Sequence, residues 1–134
     1  MKYLLDTNVC IRFINGRSPQ IRAKLPTLPV QDVVICSIVK AELFAGAAKS
    51  EFPIVTRQKQ ELFLRPYRSL PFDDEAANAY ASLRAKLEID GKPIGPNDML
   101  IAAIAIANNL ILITHNTNEF SRITGLKLED WETP

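Results

Sequence analysis

Residues 95–114 read GPNDMLIAAIAIANNLILIT, and the fold class follows from this stretch. Gly95-Pro96 opens a helix with proline at its first position, where the missing N–H is no loss. Asn97 to Asn108 is almost wholly apolar, so this helix has no solvent face and is expected to be buried all round. Asn108-Asn109 stops it, and Leu110 to Thr114 follows as a continuous apolar run of strand length. A strand without polar alternation has both faces covered, the habit of parallel sheets wrapped by helices.

The neighbouring segments repeat the pattern. Lys2 to Leu5 is a short apolar run ending at Asp6, and a helical pattern from Val9 to Ile14 stops at Asn15-Gly16. Val33-Val34-Ile35-Cys36 is a second buried run, and Ser37 is placed to cap a helix reaching about Ala48. Pro53 to Arg65 and Asp73 to Ile89 read as further helices. The second carries Ala76, Ala77, Tyr80, Leu83 and Leu87 on one face and Arg84, Lys86 and Glu88 on another. Ser69 to Phe72 is expected as a short strand between them, and Leu126 to Glu129 as a last edge strand. Strands alternating with helices predict an α/β fold, a parallel β-sheet sandwiched by α-helices. With no repeat, low-complexity tract or Gly/Ser linker, residues 1–134 are expected to form one domain.

Composition narrows the class. Apolar residues make up 47% and charged residues 23%, which excludes a disordered, collagenous or coiled-coil chain. Met1 to Phe13 carries Lys2, Asp6 and Arg12, unlike the core of an export signal. Met99 to Ile113 is broken by Asn108-Asn109 and is too short to span a bilayer. A soluble, cytoplasmic protein with no membrane segment is expected. Cys10 and Cys36 are far apart without a C-x-x-C pattern, so buried free thiols are expected rather than a zinc site or a disulfide. The net charge of +1 conceals a split: 11 Lys and Arg against 5 Asp and Glu through Leu70, then 5 against 10 from Pro71. The basic half has the sign needed to face a phosphate backbone, and uneven surface charge accounts for it equally. Phe52, Ile54, Leu62, Phe63 and Leu64 supply either a partner surface or ordinary core.

Several polar residues stand where such a core would exclude them. Asp6 closes the first strand, and ligands in open parallel sheets bind beyond strand carboxyl ends; Asp6 with Thr7-Asn8 also suits a helix cap. Glu42 has Ile38, Val39, Ala45 and Gly46 as its helical neighbours and no Lys or Arg one turn away. Such a carboxylate either snorkels to water past small residues or meets a cation or a functional pocket. Asp98 lies in the first turn of the apolar helix, where the macrodipole favours an anion, and is the only charged residue between Lys92 and Glu119. Asn116 and Glu119 follow the strand Leu110 to Thr114, in a segment that also suits a polar cap. Carboxylates brought together repel unless a divalent cation neutralises them. Oxygen donors without His or Cys partners select Mg²⁺ or Mn²⁺; the lone histidine, His115, reads as a loop or supporting residue.

The pieces Leu4-Leu5-Asp6-Thr7-Asn8, Ala41-Glu42-Leu43, Pro96-Asn97-Asp98 and Thr114-His115-Asn116-Thr117-Asn118-Glu119-Phe120 resemble the PIN-domain family, in the family's order and over nearly the whole chain. The segment Gly95-Pro96-Asn97-Asp98 resembles the VapC branch, the toxins of type II toxin–antitoxin pairs. Many relatives carry Asp where this chain has Asn116, whose amide oxygen can still hold a metal or its water. The resemblance implies a PIN-like fold, usually dimeric, with the acidic set in a groove. It further implies cleavage of structured RNA, commonly tRNA or a ribosomal RNA loop, and a VapB-like antitoxin that blocks the groove.

On this reading water activated by Mg²⁺, or by Mn²⁺, hydrolyses an RNA phosphodiester. Asp6 and Asp98 are the principal ligands, Glu42 completes the set or orients the water, and Asn116 and Glu119 support a second metal or the leaving group. Thr7 and Asn8 stand behind these ligands. Arg12, Arg17, Arg22 and Lys49 are the expected contacts to the RNA backbone. Two other readings compete. A receiver domain needs paired acids after its first strand and a phosphoacceptor Asp after its third, and this chain offers a single Asp and two helical acids. A non-catalytic RNA- or protein-binding module on the same scaffold has no need of the acids.

Overall fold

Consecutive apolar residues leave the three central strands little face for water, and the sheet is built on them. In the computed structural model, which describes residues 1–133, the order begins β1 (Tyr3–Leu5), α1 (Thr7–Asn15), α2 (Pro19–Lys24), β2 (Val33–Cys36), α3 (Ser37–Ala48). It continues α4 (Pro53–Leu64), β3 (Arg68–Leu70), α5 (Asp74–Ile89), α6 (Pro96–Ala107), β4 (Ile111–Ile113), α7 (Thr117–Phe120), β5 (Lys127–Glu129). All pairings are parallel, in the order β3-β2-β1-β4-β5. Leu4 and Leu5 point to opposite faces of the sheet, yet both are 0% exposed, so both faces are covered. The expected α/β sandwich is the observed one.

The core-forming helix behaves as its sequence demands. Ile101–Ala105 are all buried, and α6 makes its most extensive helix contact with α5. The α5 face differs in one residue from expectation. Ala76, Leu83 and Leu87 are buried and Tyr80 is half-buried, but Ala77 is exposed, since an alanine one step round the helix cannot reach the sheet. Ser37 does not cap α3: it is the first helical residue, and Cys36 precedes it with no side-chain cap bond. The strand expected at Ser69–Phe72 is Arg68–Leu70, because β2 pairs it through Val34↔Arg68 and Cys36↔Leu70. The six-residue α2, capped by the Ser18 hydroxyl, lies in a stretch with no apolar period to announce it. Phe63 packs against Phe13 and Tyr67 and Leu64 is buried, whereas Phe52, Ile54 and Leu62 are exposed.

The topology decides where the chemistry sits. The chain runs from β1 outward through β2 to β3, then crosses back to place β4 on the other side of β1. Strand order therefore reverses between β1 and β4, and in open α/β sheets the crevice beyond that point holds the ligand. Leu5 pairs with Ile113, and the Asp6 N–H donates to the Ile113 carbonyl at 2.9 Å. Asp6 and Thr114 thus leave the sheet side by side.

Because Leu4 sits at the centre of the central strand with no exposure, Leu4→Ala should cost about 2–5 kcal/mol of stability. Urea denaturation checks this. A loss under about 1 kcal/mol would mean the sheet is not the closed core described.

Candidate active site

Asp6 is the cap its sequence context allows, but capping does not exhaust it. One carboxylate oxygen accepts from the Thr7 N–H at 2.8 Å and the other from the Thr114 hydroxyl at 2.7 Å. Only 6% of the residue is exposed. Burial pushes its pKa above the usual carboxylate value, and the nearby Glu42 charge adds to that, against the lowering effect of the Thr114 and Thr7 hydrogen bonds. Each oxygen keeps a further lone pair for a ligand.

Glu42, one and a half turns into α3, is tied to the same point. The Thr7 hydroxyl donates to its Oε1 at 2.6 Å, and the Asn97 amide to its Oε2 at 3.4 Å. Thr7 therefore joins two acids: its N–H holds Asp6 and its hydroxyl holds Glu42. Asp98, in the first turn of α6, completes the convergence. A helix N-terminus should favour its anion, yet its pKa is pushed up to about 6, by burial first and then by the charges of Asp6, Glu42 and Glu119. On the next loop the Asn116 amide donates to Glu119 Oε2 at 2.9 Å, and the Asn116 N–H donates to the Thr114 hydroxyl at 3.0 Å. All five expected residues, Asp6, Glu42, Asp98, Asn116 and Glu119, thus meet beyond the carboxyl ends of β1 and β4.

The charge at this point is uncompensated. Among the described residues no ion pair involves Asp6, Glu42, Asp98 or Glu119. A divalent cation fits that deficit, and an oxygen-only donor set fits a hard ion. The two thiols do not compete. Cys10 and Cys36 are both free and buried, and burial pushes Cys36 up to about 11 and Cys10 higher still. No three of the four carboxylates bring oxygens within 4.8 Å of one another. So open a set suits an ion that keeps water in its shell, as Mg²⁺ does.

The other expected contacts fall less uniformly. Asn8 is exposed beside Thr7. Arg12 faces Glu132 at 3.4 Å, and Arg22 donates to the Phe13 carbonyl while lying over the Phe13 ring. Arg17 and Lys49 are exposed; Lys49 ends α3, about 10 Å along the helix from Glu42 at about 1.5 Å per residue. None of the four basic residues is drawn into the acidic cluster. Two residues escaped sequence reasoning. Thr114, 1% exposed at a strand end, holds Asp6 from 108 residues away in the chain. Asn97 holds Glu42, and nothing in its local pattern marked it.

Comparison with known proteins is consistent across sequence and structure. The PIN domain model matches residues 3–126. The chain is 40% identical over 133 residues to Ribonuclease VapC2 of Rickettsia felis, covering 98% of this chain and 99% of that one. It is 37% identical to the tRNA(fMet)-specific endonuclease VapC of Shigella flexneri, covering 98% of each. Among solved structures, VapBC2 of Rickettsia felis bound to a promoter DNA fragment matches with a TM-score of 0.91 at 39% identity, over 98% of this chain and 99% of that one. DNA-bound VapBC of Salmonella typhimurium matches with a TM-score of 0.92 at 37% identity, over 98% of each chain.

The raised Asp98 pKa has a measurable consequence without metal. Its folded value of about 6 exceeds the ordinary 3.8, so the protonated group's contribution to stability is complete below 3.8 and lost as pH rises through about 6. Metal-free protein should therefore lose Tm between about pH 4 and pH 7, and Asp98→Asn should flatten part of that fall. A divalent cation should raise the wild-type Tm more at pH 7 than at pH 5. An unchanged slope in Asp98→Asn would show that Asp98 carries no such strain.

Proposed function

The chain belongs to the PIN-domain family and to its VapC group of ribonucleases, and from that footing we propose that the acidic cluster is its catalytic centre. As in its family, activity depends on a divalent metal ion. We assign that ion as Mg²⁺, with Mn²⁺ able to replace it, because the donors are oxygens alone. The observation that carries the assignment is the gathering of Asp6, Glu42, Asp98 and Glu119 with no Lys or Arg paired to any of them, where burial first and then the other three charges push Asp98 up to about 6.

Asp6 and Asp98 are the principal ligands. When bound, the ion supplies positive charge against the charge developing on the phosphodiester and acidifies the attacking water. The protein's own groups set the geometry. Thr7 and Thr114 fix both oxygens of Asp6, so that it offers its remaining lone pairs in one orientation. Glu42 Oε1 is held at 2.6 Å and Oε2 only at 3.4 Å; Oε2 is the atom to orient the water and take its proton. Asn116 and Glu119 lie across the cleft as a bonded pair, placed to support the leaving oxygen or a second ion. Asn8, exposed beside Thr7, acts behind the ligands.

The substrate we propose is structured RNA, a tRNA or a ribosomal RNA loop, which the name of the Shigella flexneri relative supports. Arg17 and Lys49 are free to contact its backbone, whereas Arg12 and Arg22 must first leave their present partners. The relatives solved as VapBC complexes support a VapB-like antitoxin as partner, and the homodimer that the family resemblance implies is proposed alongside it. The exposed Phe52, Ile54 and Leu62 offer an apolar surface for that antitoxin. Among the described residues no helix is long and apolar enough to cross a membrane, in keeping with a cytoplasmic toxin.

Purified, antitoxin-free protein should cut total cellular RNA into discrete products with Mg²⁺ or Mn²⁺ and not with EDTA. Asp98→Asn should lower the rate at least about 100-fold, the scale on which one preorganised charge-stabilising group counts, and Asp6→Ala should abolish it. Full activity in Asp98→Asn, or metal-independent products shared by Asp6→Ala, would contradict the assignment.

A further inference from the structure

We propose that His115, Asp130 and Glu132 form a second metal site, for a borderline divalent ion such as Zn²⁺, distinct from the oxygen-only catalytic cluster. His115 Nδ1 stands 3.0 Å from Asp130 Oδ2 and 3.3 Å from Glu132 Oε2. The three donor atoms lie within 4.8 Å of one another, a closure that among the described residues no other group of His, Cys, Asp and Glu achieves. Tetrahedral zinc with bonds of about 2.0–2.1 Å holds its ligand atoms about 3.3 Å apart. Two of the spacings are already of that size.

Burial supplies an independent argument. The Glu132 side chain is 9% exposed, and its Oε1 is buried with no hydrogen-bond partner. The nearest cation to that oxygen is Arg12 Nη1 at 3.4 Å, on a side chain that is 46% exposed and not aligned for a hydrogen bond. A buried carboxylate with one oxygen lacking any hydrogen bond and the other turned toward an imidazole nitrogen is under-coordinated, with only the Arg12 charge at 3.4 Å to offset its desolvation. Asp130 is prepared for ligation by its neighbours: Oδ1 accepts from the Glu132 N–H at 2.9 Å and Oδ2 from the Thr133 hydroxyl at 2.6 Å. Such hydrogen bonds orient a ligating carboxylate. The His115 side chain is 56% exposed, so solvent can fill the fourth position.

The donor set separates this site from the catalytic one. Imidazole with two carboxylates suits zinc and its neighbours, whereas Mg²⁺ prefers oxygen alone. His115 also lies between Thr114, which holds Asp6, and Asn116, which holds Glu119. An ion bound here ties residues 130–132 to the loop that carries part of the cleft.

The test is Zn²⁺ binding to the full chain in excess Mg²⁺, by equilibrium dialysis, for wild type, His115→Gln, Glu132→Gln and Asp98→Asn. The proposal expects one zinc per chain whose affinity falls at least about 10-fold in His115→Gln and in Glu132→Gln and persists in Asp98→Asn. His115 is the sole histidine, so one equivalent of Co²⁺ should also shift or broaden the single set of imidazole NMR signals of the wild-type protein. That reading needs no variant to fold. Zinc lost in Asp98→Asn but kept in His115→Gln, or imidazole signals unmoved by cobalt, would overturn the proposal and leave His115 as a bridge in an ordinary ion pair. RNA cleavage in Mg²⁺ does not enter either readout, so the catalytic assignment stands or falls apart from this one.

Discussion

Everything in this structure that bears on function depends on negative charge gathered without compensation at the one place where the sheet reverses its winding. Four carboxylates from four separate segments approach one another, and no basic side chain among the described residues pairs with them. Left alone, such a cluster works against the fold, since the neighbouring charges add to the burial that pushes Asp6 and Asp98 up. It persists because strong local interactions fix each member: a strand end for Asp6, a helix for Glu42, a helix start for Asp98 and the short helix α7 for Glu119. A divalent cation bound among these carboxylates would relieve that repulsion.

Two threonines convert this crowding into geometry. Thr7 and Thr114 flank Asp6 from the next helix and from the neighbouring strand, and each makes a second bond outward, Thr7 to Glu42 and Thr114 to the Asn116 N–H. A hydroxyl both donates and accepts, so it can hand orientation from one polar group to the next. The core beneath is close-packed and apolar, and the strand register Leu5↔Ile113 sets how near Asp6 and Thr114 lie. Positioning of this kind belongs to the scaffold more than to the loops.

Much of this was legible from residue order alone. The β-branched run Val33–Cys36 and the apolar helix after Gly95-Pro96 declared the fold because each is too apolar to have a wet face. Asp6, Glu42 and Asp98 were visible as charges out of place in those elements. What stayed hidden depends on contacts between distant segments. Neither Asn97 reaching Glu42 nor Thr114 reaching Asp6, across 55 and 108 residues of chain, has a local pattern to betray it. The basic residues had no local pattern beyond their charge. Arg12 and Arg22 were chosen by sign alone, and in the fold they stand against Glu132 and the Phe13 carbonyl. Helix α2 was missed because six residues cannot display a period.

The central claim is that Asp6, Glu42, Asp98 and their neighbours form one cation site, and Mn²⁺ binding followed by electron paramagnetic resonance tests it most directly. With Zn²⁺ present to occupy any imidazole site, wild-type protein should bind Mn²⁺ at neutral pH, and Asp6→Asn and Asp98→Asn should each weaken that binding by at least about 10-fold. Undiminished Mn²⁺ binding in both folded variants would contradict the account and leave the acidic cluster without the ion around which its geometry makes sense.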